Sequence, residues 1–276
     1  MAEHETHEFD VVVIGAGGAG LRAAIEATDQ GARTLRKDRW WLQPLVTVTV
    51  LGVFVVYATW VAFVNRDYWA DPYLSPFYSP CLASNCQEPT WAIIGDWWRL
   101  SPALLVLPFP LGFRLTCYYY RKAYYRSFWW APPACAVPDA RPRYTGETRF
   151  PLILQNIHRY FFYLALPFPL ILTWDALRAF HFPDGWGIGL GTVVLLVNAL
   201  FLWLYTLSCH SCRHLCGGRL NNFSRRPARY WMWRQVSALN ARHMPLAWIS
   251  LVLVAFADIY VRLVASGVLS DPRLVF

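Results

Sequence analysis

Five long apolar segments constrain the fold of this chain more than any other feature. They cover residues 42–64, about 100–120, 161–180, 188–208 and 245–265. A bilayer core about 30 Å thick is crossed by roughly 20 helical residues, and backbone polar groups inside it must be satisfied within the segment. The pattern therefore predicts an all-α integral membrane protein with five transmembrane helices. The sequence LPFPL recurs at 107–111 and 166–170, where we expect kinks.

Composition supports a membrane location. Only 15% of the residues are charged, against about 25% in soluble domains, and 17% are aromatic, as in proteins with interfacial aromatic belts. A formal net charge of +8 is compatible with nucleic-acid binding. However, the positive residues occupy short loops between apolar segments, so we interpret them as a topology signal and expect no nucleic-acid partner.

The distribution of Lys and Arg predicts the orientation in the membrane. Positive residues concentrate before the first segment, between the second and third, and between the fourth and fifth. The alternate loops are poor in positive charge: they contain Arg66, Arg99 and Arg273, and Arg178 lies at the end of the third segment. By the positive-inside rule, the N-terminus is predicted to be cytoplasmic and the C-terminus outside. In the fifth helix, Asp258 and Arg262 are four residues apart and are expected to pair.

The first 33 residues follow a different pattern. The stretch FDVVVIGAGGAGLRAAIEA is typical of a short βα fragment, and Gly15, Gly17 and Gly20 fit the G-x-G-x-x-G turn that binds a pyrophosphate. No second strand with an acidic end follows, because the chain passes directly into the first apolar segment. We therefore divide the chain into a truncated dinucleotide-binding fragment, 1–33, and a membrane region, 34–276, and consider bound FAD unlikely on this chain.

Three cysteines and two histidines lie in CHSCRHLC, directly after the fourth apolar segment. If that helix continues, Cys209, Cys212 and Cys216 share one face, whereas His210 and His214 lie roughly 150° away. One straight helix cannot direct both sets at a single metal. Histidines that complete a site with the cysteines should therefore come from other helices.

The predicted topology brings further ligands to the same cytoplasmic level. His158 and His243 begin the third and fifth helices, and Cys117 ends the second. We predict a metal site of Cys209, Cys212, His158 and His243, with three further residues in reserve: His210, His214 and Cys117. Thiolates with imidazoles suit zinc or iron–sulfur centres, and two histidines from different helices also suit haem b. A redox cluster, a haem and a structural zinc therefore remain open at this point.

Several long strings resemble one protein family. FRLTCYYYRKAYYRS, YTGETRFPLILQNIHRYFFY, LYTLSCHSCRH and LVASG are similar to the membrane anchor of actinobacterial type F succinate dehydrogenase, from about residue 34 to 276. The resemblance implies a five-helix anchor in the bacterial plasma membrane, with flavoprotein and iron–sulfur subunits as cytoplasmic partners. It also implies quinone reduction through a Rieske-type [2Fe–2S] cluster in the membrane region.

The resemblance does not identify the quinone site. Side chains that could hydrogen-bond a quinone near the cytoplasmic interface are Tyr119, Arg159 and Arg242. The first 33 residues are no part of the anchor family and resemble the N-terminus of a succinate dehydrogenase or fumarate reductase flavoprotein. A gene fusion, a gene-model or assembly error and a deliberate chimera would each account for them.

Overall fold

Helices form most of the described structure, as the apolar segments predict. A computed structural model describes residues 18–29, 41–82, 93–95, 97–98, 100–131 and 147–276. Gly15 and Gly17 lie outside these ranges, whereas Gly20 lies in the first helix. The helices are α1 (Gly18–Asp29), α2 (Leu42–Val64), α3 (Ala103–Val106), α4 (Pro108–Thr116), α5 (Tyr118–Phe128), α6 (His158–Ala165), α7 (Pro167–Arg178), α8 (Leu190–Leu207), α9 (His210–Gly217), α10 (Pro227–Asn240) and α11 (His243–Ala265).

Within the described ranges, four helical stretches are long and apolar enough to cross a membrane. They are Leu42–Val64, Leu152–Arg178, Leu190–Leu207 and His243–Ala265. Four of the five predicted spans are thus confirmed as helices of suitable length. The observed helix ends differ from the predicted ends by up to nine residues. The stretch Leu152–Arg178 begins with a 3₁₀ turn, Leu152–Ile157, and continues through α6 and α7.

The segment predicted as the second span is not one continuous helix. It is divided into α3, α4 and the start of α5, with breaks before Pro108 and at Cys117. Pro108 and Pro110 lack the backbone N–H that a continuous helix needs, so Pro108 begins a new helix instead. The second LPFPL sequence behaves in the same way, because α6 ends at Ala165 and Pro167 begins α7.

Short strands and a buried ion pair close the end of the bundle opposite the start of α11. The strands β1 (Trp69–Ala70) and β2 (Tyr73–Leu74) form a hairpin, and β3 (His181–Phe182), β4 (Gly185–Gly189) and β5 (Arg273–Val275) form an antiparallel sheet in the order β3-β4-β5. Asp258 and Arg262 pair as expected, with 2.9 Å between Oδ2 and Nε. The Asp258 carboxylate is fully buried and also accepts hydrogen bonds from Tyr57 and Ser75.

By backbone contacts the chain separates into two units. One comprises Met1–Leu51 and Arg121–Thr145, and the other comprises Gly52–Tyr120 and Gly146–Phe276. Every site residue discussed below belongs to the second unit. Within it, α4 packs against α6, and α8 packs against α7 and α11. A Cβ at Gly112 of α4 would lie 2.3 Å from Cε1 of Phe161 in α6, so only glycine permits this close approach.

Candidate metal centre

Four helix ends meet where the cysteines and histidines lie. Cys117 follows the end of α4, and Cys209 follows α8. His158 begins α6, and His243 begins α11. Both cysteines have an extended backbone, with ψ of 130° at Cys117 and 142° at Cys209, and each joins two helices. The four candidate ligands therefore come from distant parts of the sequence and lie at chain breaks and helix starts rather than on one helical face.

The four side chains form two cysteine–histidine contacts. Nε2 of His158 lies 3.2 Å from Sγ of Cys209, and Nε2 of His243 lies 3.5 Å from Sγ of Cys117. Cys117, Cys209 and His243 are each less than 5% exposed. Polar groups buried this deeply require partners, and here each imidazole meets a thiol. Both histidines direct the same ring nitrogen, Nε2, towards sulfur.

Hydroxyl groups fix the tautomers of both imidazoles. Oγ1 of Thr116 lies 2.8 Å from Nδ1 of His158 and donates its own proton to the carbonyl of Gly112. The hydroxyl oxygen must then accept a hydrogen bond from Nδ1–H, because its single proton is already committed. We assign the proton of His158 to Nδ1, which leaves a lone pair on Nε2 facing Cys209.

The second histidine repeats this arrangement. Oγ of Ser208 lies 2.7 Å from Nδ1 of His243 and donates to the carbonyl of Tyr205. The same proton count assigns the His243 proton to Nδ1 and leaves the Nε2 lone pair directed at Cys117. A histidine that ligates a metal commonly donates its other ring N–H to an oxygen, which fixes its orientation. Both histidines meet this condition.

Aromatic rings hold the two imidazoles in place. Phe113 stacks on His158 at 5.0 Å between ring centroids, with 7° between the planes. Tyr205 stacks on His243 at 5.2 Å and 5°, and the Phe113 and Tyr205 rings are themselves 5.2 Å apart. The imidazoles are thus fixed by a hydroxyl at one edge and by an aromatic ring against one face, with little freedom to rotate.

The expectation that the fourth span continues through Cys216 is wrong. The helix α8 ends at Leu207, and the extended Cys209 caps α9 by accepting a hydrogen bond from the Ser211 amide at 3.3 Å. Asn240 at the end of α10 stabilises this break by donating to the carbonyl of Ser208 at 2.7 Å. Because the extended Cys209 interrupts the helical turns between α8 and α9, the helical-face argument that paired Cys209 with Cys212 does not hold.

Cys212 lies in a different environment from Cys117. It is buried within α9. Its thiol pKa is raised to about 12, mainly by burial and to a smaller extent by the charge of the neighbouring Cys216. No contact between Cys212 and a histidine occurs among the hydrogen bonds of the described residues. Cys117, expected as a reserve ligand, is instead the thiol that contacts His243.

The remaining candidates lie nearer the surface. His210 and His214 are exposed, and Nδ1 of His214 lies 3.1 Å from Nη2 of the exposed Arg159. Arg242 is exposed at the start of α11. Tyr119 lies close to the centre, with its ring 5.6 Å from that of His243. Of the three side chains considered for quinone, Tyr119 is therefore the one adjacent to the buried cysteine–histidine contacts.

The chemistry of these groups fits a bound metal better than an isolated catalytic thiol. Burial raises the pKa of the Cys209 thiol to about 11, so the free thiol stays protonated at neutral pH and a metal would have to displace that proton. Within the described ranges, no three His, Cys, Asp or Glu side chains form a ligand set for a single ion. The two cysteine–histidine contacts instead offer two thiols and two imidazoles to a larger group.

Three residues important to this centre were not anticipated: Thr116, Ser208 and Tyr205. A sequence signal for two of them exists. Leu-Thr-Cys at 115–117 and Leu-Ser-Cys at 207–209 repeat the same pattern at two helix ends. Each repeat supplies a hydroxyl to one histidine and a thiol to the other. Tyr205 has no such signal, because one tyrosine among 15 is not distinguished by sequence.

Comparison with known proteins agrees with this architecture. Residues 42–267 match the family described as actinobacterial succinate dehydrogenase subunit SdhC. A chain of the solved structure "Mycobacterium smegmatis Sdh1 complex in the apo form" is 56% identical, with a TM-score of 0.81 over 88% of this chain and 94% of that one. Residues 10–35 match an FAD binding domain model, in the region of the Gly15, Gly17 and Gly20 motif.

Proposed function

The chain belongs to the actinobacterial succinate dehydrogenase subunit SdhC family, and from that premise we propose that it carries a Rieske-type [2Fe–2S] cluster. It is a multi-pass membrane subunit of bacterial succinate dehydrogenase, or complex II, and works with the other subunits of that complex. Membrane subunits of complex II interact with quinone. We propose that the cluster lies on the electron path between the partner subunits and that quinone.

The observation that carries the proposal is the matched pair of imidazoles. Nδ1 of each histidine is bonded to a hydroxyl whose own proton is committed elsewhere, so each Nε2 presents a lone pair towards a buried thiol. Two thiolates and two imidazoles are the ligand complement of a Rieske-type cluster, in which one iron takes two Cys and the other two His. The donor set therefore fits the group.

We propose Cys117, Cys209, His158 and His243 as the ligands. Cys117 takes the place of Cys212 in the expected set, because Cys117 contacts His243 whereas Cys212 neighbours Cys216. Cys212, His210 and His214 then have structural or surface roles. This choice does not depend on any helical face, since each of the four residues lies at a helix end.

When bound, the cluster would supply one-electron transfer at a potential raised by histidine ligation, roughly −150 to +300 mV. The protein contributes orientation and charge. Thr116 and Ser208 hold the imidazoles in the tautomer that leaves Nε2 free, and the aromatic stacks of Phe113 and Tyr205 keep them in position. The guanidinium of Arg114 lies 4.8 Å over the Tyr205 ring and places a positive charge beside the centre, which favours the reduced, more negative form.

The membrane topology and the N-terminal fragment form the remainder of the proposal. We propose five crossings with the N-terminus cytoplasmic, in which α3 and α4 together make the second crossing and the metal centre lies at the cytoplasmic side.

Residues 1–33 are proposed to bind no FAD on this chain, because a dinucleotide site needs a sheet that one strand and one helix cannot form.

Metal analysis of the purified complex tests this function. The wild-type complex and a His158→Ala/His243→Ala variant would be assayed for iron, acid-labile sulfide, haem and zinc. We expect the variant to lack two irons and two sulfides per complex relative to the wild type. Loss of haem alone would identify the histidines as axial ligands of haem b, and loss of zinc alone would identify a structural zinc site.

A further inference from the structure

The backbone around Cys117 is repeated around Cys209. The φ and ψ angles are −64° and 130° at Cys117, and −61° and 142° at Cys209. Each cysteine amide donates a hydrogen bond of 3.2 Å to the carbonyl three residues earlier, which belongs to Arg114 in one case and to Thr206 in the other. A new helix begins directly after each cysteine. The sequences FRLTC and YTLSC, which end at these cysteines, therefore form the same local structure twice.

The repetition extends to the side chains that hold the histidines. Thr116 and Ser208 precede the two cysteines, and each bonds Nδ1 of a histidine that follows 42 or 35 residues later and begins a helix. Phe113 and Tyr205 lie four positions before the cysteines, and each ring stacks on that same histidine, with 7° and 5° between the planes. The first copy thus comprises Phe113, Thr116, Cys117 and His158, and the second copy comprises Tyr205, Ser208, Cys209 and His243.

The two copies exchange partners at the metal centre. Cys117 of the first copy contacts His243 of the second at 3.5 Å, and Cys209 of the second contacts His158 of the first at 3.2 Å. Reciprocal contacts of this kind are the mark of a two-fold axis. Two equivalent side chains can contact each other only close to such an axis, and the stacking rings of the two copies do so, with their centroids 5.2 Å apart. The centre therefore has a local pseudo-two-fold axis.

Arg114 breaks this symmetry. Its counterpart in the second copy is the uncharged Thr206, whose hydroxyl bonds a carbonyl of its own helix. The half-buried Arg114 extends to the second copy, where its guanidinium lies 4.8 Å over the Tyr205 ring and its Nη1 lies 3.2 Å from Oγ of Ser250 on α11. None of the ion pairs among the described residues includes Arg114. A charged side chain within a membrane segment is costly and usually marks a functional site.

The two histidines consequently have unlike surroundings. The ring that stacks on His158 is Phe113, which lies 6.0 Å from a second phenyl ring, that of Phe162. The ring that stacks on His243 is Tyr205, and its other contacts include the positive charge. The first histidine is therefore enclosed by apolar rings, whereas the second lies one ring away from a cation.

We propose that the centre is a duplicated two-fold site, in which the charge of Arg114 raises the reduction potential and makes the His243 half electrostatically unlike the His158 half. The inference rests on the proposed function, because a Rieske-type cluster has the same symmetry. One iron takes two Cys and the other two His, so a half-turn about the line between the irons exchanges both pairs. Reduction adds one negative charge, which a fixed cation stabilises.

Redox titration of the purified complex with EPR detection tests the effect on potential. Arg114→Gln should shift the equilibrium about tenfold towards the oxidised form, which is about 59 mV for one electron. This is the effect of a unit charge roughly 10 Å away at the effective dielectric constant of a protein. Arg114→Lys keeps the charge and should restore the potential. Thr206→Val, at the counterpart position, is the matched control and should leave it unchanged. An unchanged potential in Arg114→Gln would overturn the proposal.

Pulsed EPR tests the asymmetry through the nitrogen couplings of the two histidine ligands. We expect two distinct couplings in the wild type that converge in Arg114→Gln, because the remaining surroundings are related by the pseudo-two-fold axis. Couplings that differ as much in Arg114→Gln as in the wild type would contradict the assigned source of asymmetry. Two equal couplings in the wild type would overturn the inference without any variant having to fold.

The same spectra separate this inference from the proposed function. A [2Fe–2S] signal whose potential and nitrogen couplings do not respond to Arg114→Gln would overturn the role of Arg114 and leave the cluster assignment intact. A wild-type complex that lacks the [2Fe–2S] signal would contradict the cluster itself, and with it the inference.

Discussion

Nε2 of His243 lies 3.5 Å from Sγ of Cys117, although the two residues are 126 positions apart in the sequence. This contact joins the start of α11 to the break between α4 and α5, and it is matched by the 3.2 Å contact between His158 and Cys209. Two imidazoles whose tautomers are set by hydroxyls thus face two buried thiols. The proposed ligand set depends on this pairing rather than on the local CHSCRH sequence.

A comparison of two cysteine variants tests the ligand assignment. Cys117→Ala should remove the cluster and abolish quinone reduction, because it deletes a ligand, while succinate oxidation by a soluble dye continues. Cys212→Ala is the matched control, since it deletes a similarly buried thiol that contacts none of the described histidines. We expect Cys212→Ala to retain iron and acid-labile sulfide. The reverse outcome would restore the set that includes Cys212.

Thr116 should act as a positioning residue for His158. Thr116→Val keeps the shape but removes the hydroxyl that accepts from Nδ1–H, and loss of such a partner typically costs 10- to 100-fold in metal affinity or activity. We expect a lower cluster content or a changed midpoint potential, measured by redox titration with EPR detection. Thr116→Ser retains the hydroxyl and should restore both values. If Thr116→Val and Thr116→Ser have the same cluster content and midpoint potential, the hydroxyl has no role in holding the histidine.

Ser208 allows the same test on His243. Ser208→Ala should shift the midpoint potential or cluster content as Thr116→Val does, because it removes the acceptor for Nδ1–H at 2.7 Å. Ser266→Ala is a suitable control, since its hydroxyl bonds a backbone carbonyl at the exposed end of α11. An unchanged EPR spectrum and potential in Ser208→Ala would contradict the tautomer assignment for His243.

The buried pair Asp258–Arg262 should stabilise the fold without affecting electron transfer. Asp258→Ala leaves Arg262, which is 8% exposed, without its counter-ion, and breaking a buried pair costs about 3–5 kcal/mol. Thermal unfolding in detergent should show this loss. The exposed pair Asp184–Arg273, at 3.3 Å, provides the control, because Asp184→Ala should cost at most about 1 kcal/mol. Equal losses of stability in Asp258→Ala and Asp184→Ala would contradict the conclusion that burial makes the Asp258–Arg262 pair important.

Removal of residues 1–33 should leave the respiratory function intact. The fragment contains the Gly15, Gly17 and Gly20 motif, but its sequence predicts no second strand to complete a dinucleotide site. We expect a complex assembled with the shortened chain to keep its quinone reductase rate and its flavin content per complex. If the deletion instead removed one flavin for each copy of this chain, the fragment would carry a working FAD site.

Much of the architecture could be predicted because membrane burial leaves a strong signal in sequence. The span 42–64 coincides with α2, and the pair Asp258–Arg262 forms as its spacing indicates. The second span was less predictable, since apolar composition does not reveal that Pro108 begins a new helix. The prediction that helix ends bring His158, His243, Cys117 and Cys209 together follows from topology, and the described contacts agree with it.

The choice between Cys117 and Cys212 could not be made from sequence. It depends on the break after Leu207, where Cys209 becomes extended. Nothing in the local residue types forces this break, because Ser and Cys are tolerated within helices. It is stabilised by Asn240 from α10 and by the contact of Ser208 with His243, which are tertiary interactions. Local periodicity therefore indicated one helical face where the structure has two separate helices.

EPR spectroscopy of the purified complex tests the central claim most directly. The sample would be reduced with dithionite, and its EPR and visible spectra would be compared with those of the separated flavoprotein and iron–sulfur subunits. The proposed ligands predict a rhombic [2Fe–2S] signal with the low average g value of histidine ligation, present in the complex and lost in His158→Ala and His243→Ala. A sharp haem band without that signal, or a spectrum equal to the sum of the soluble subunits, would contradict a Rieske-type cluster on this chain.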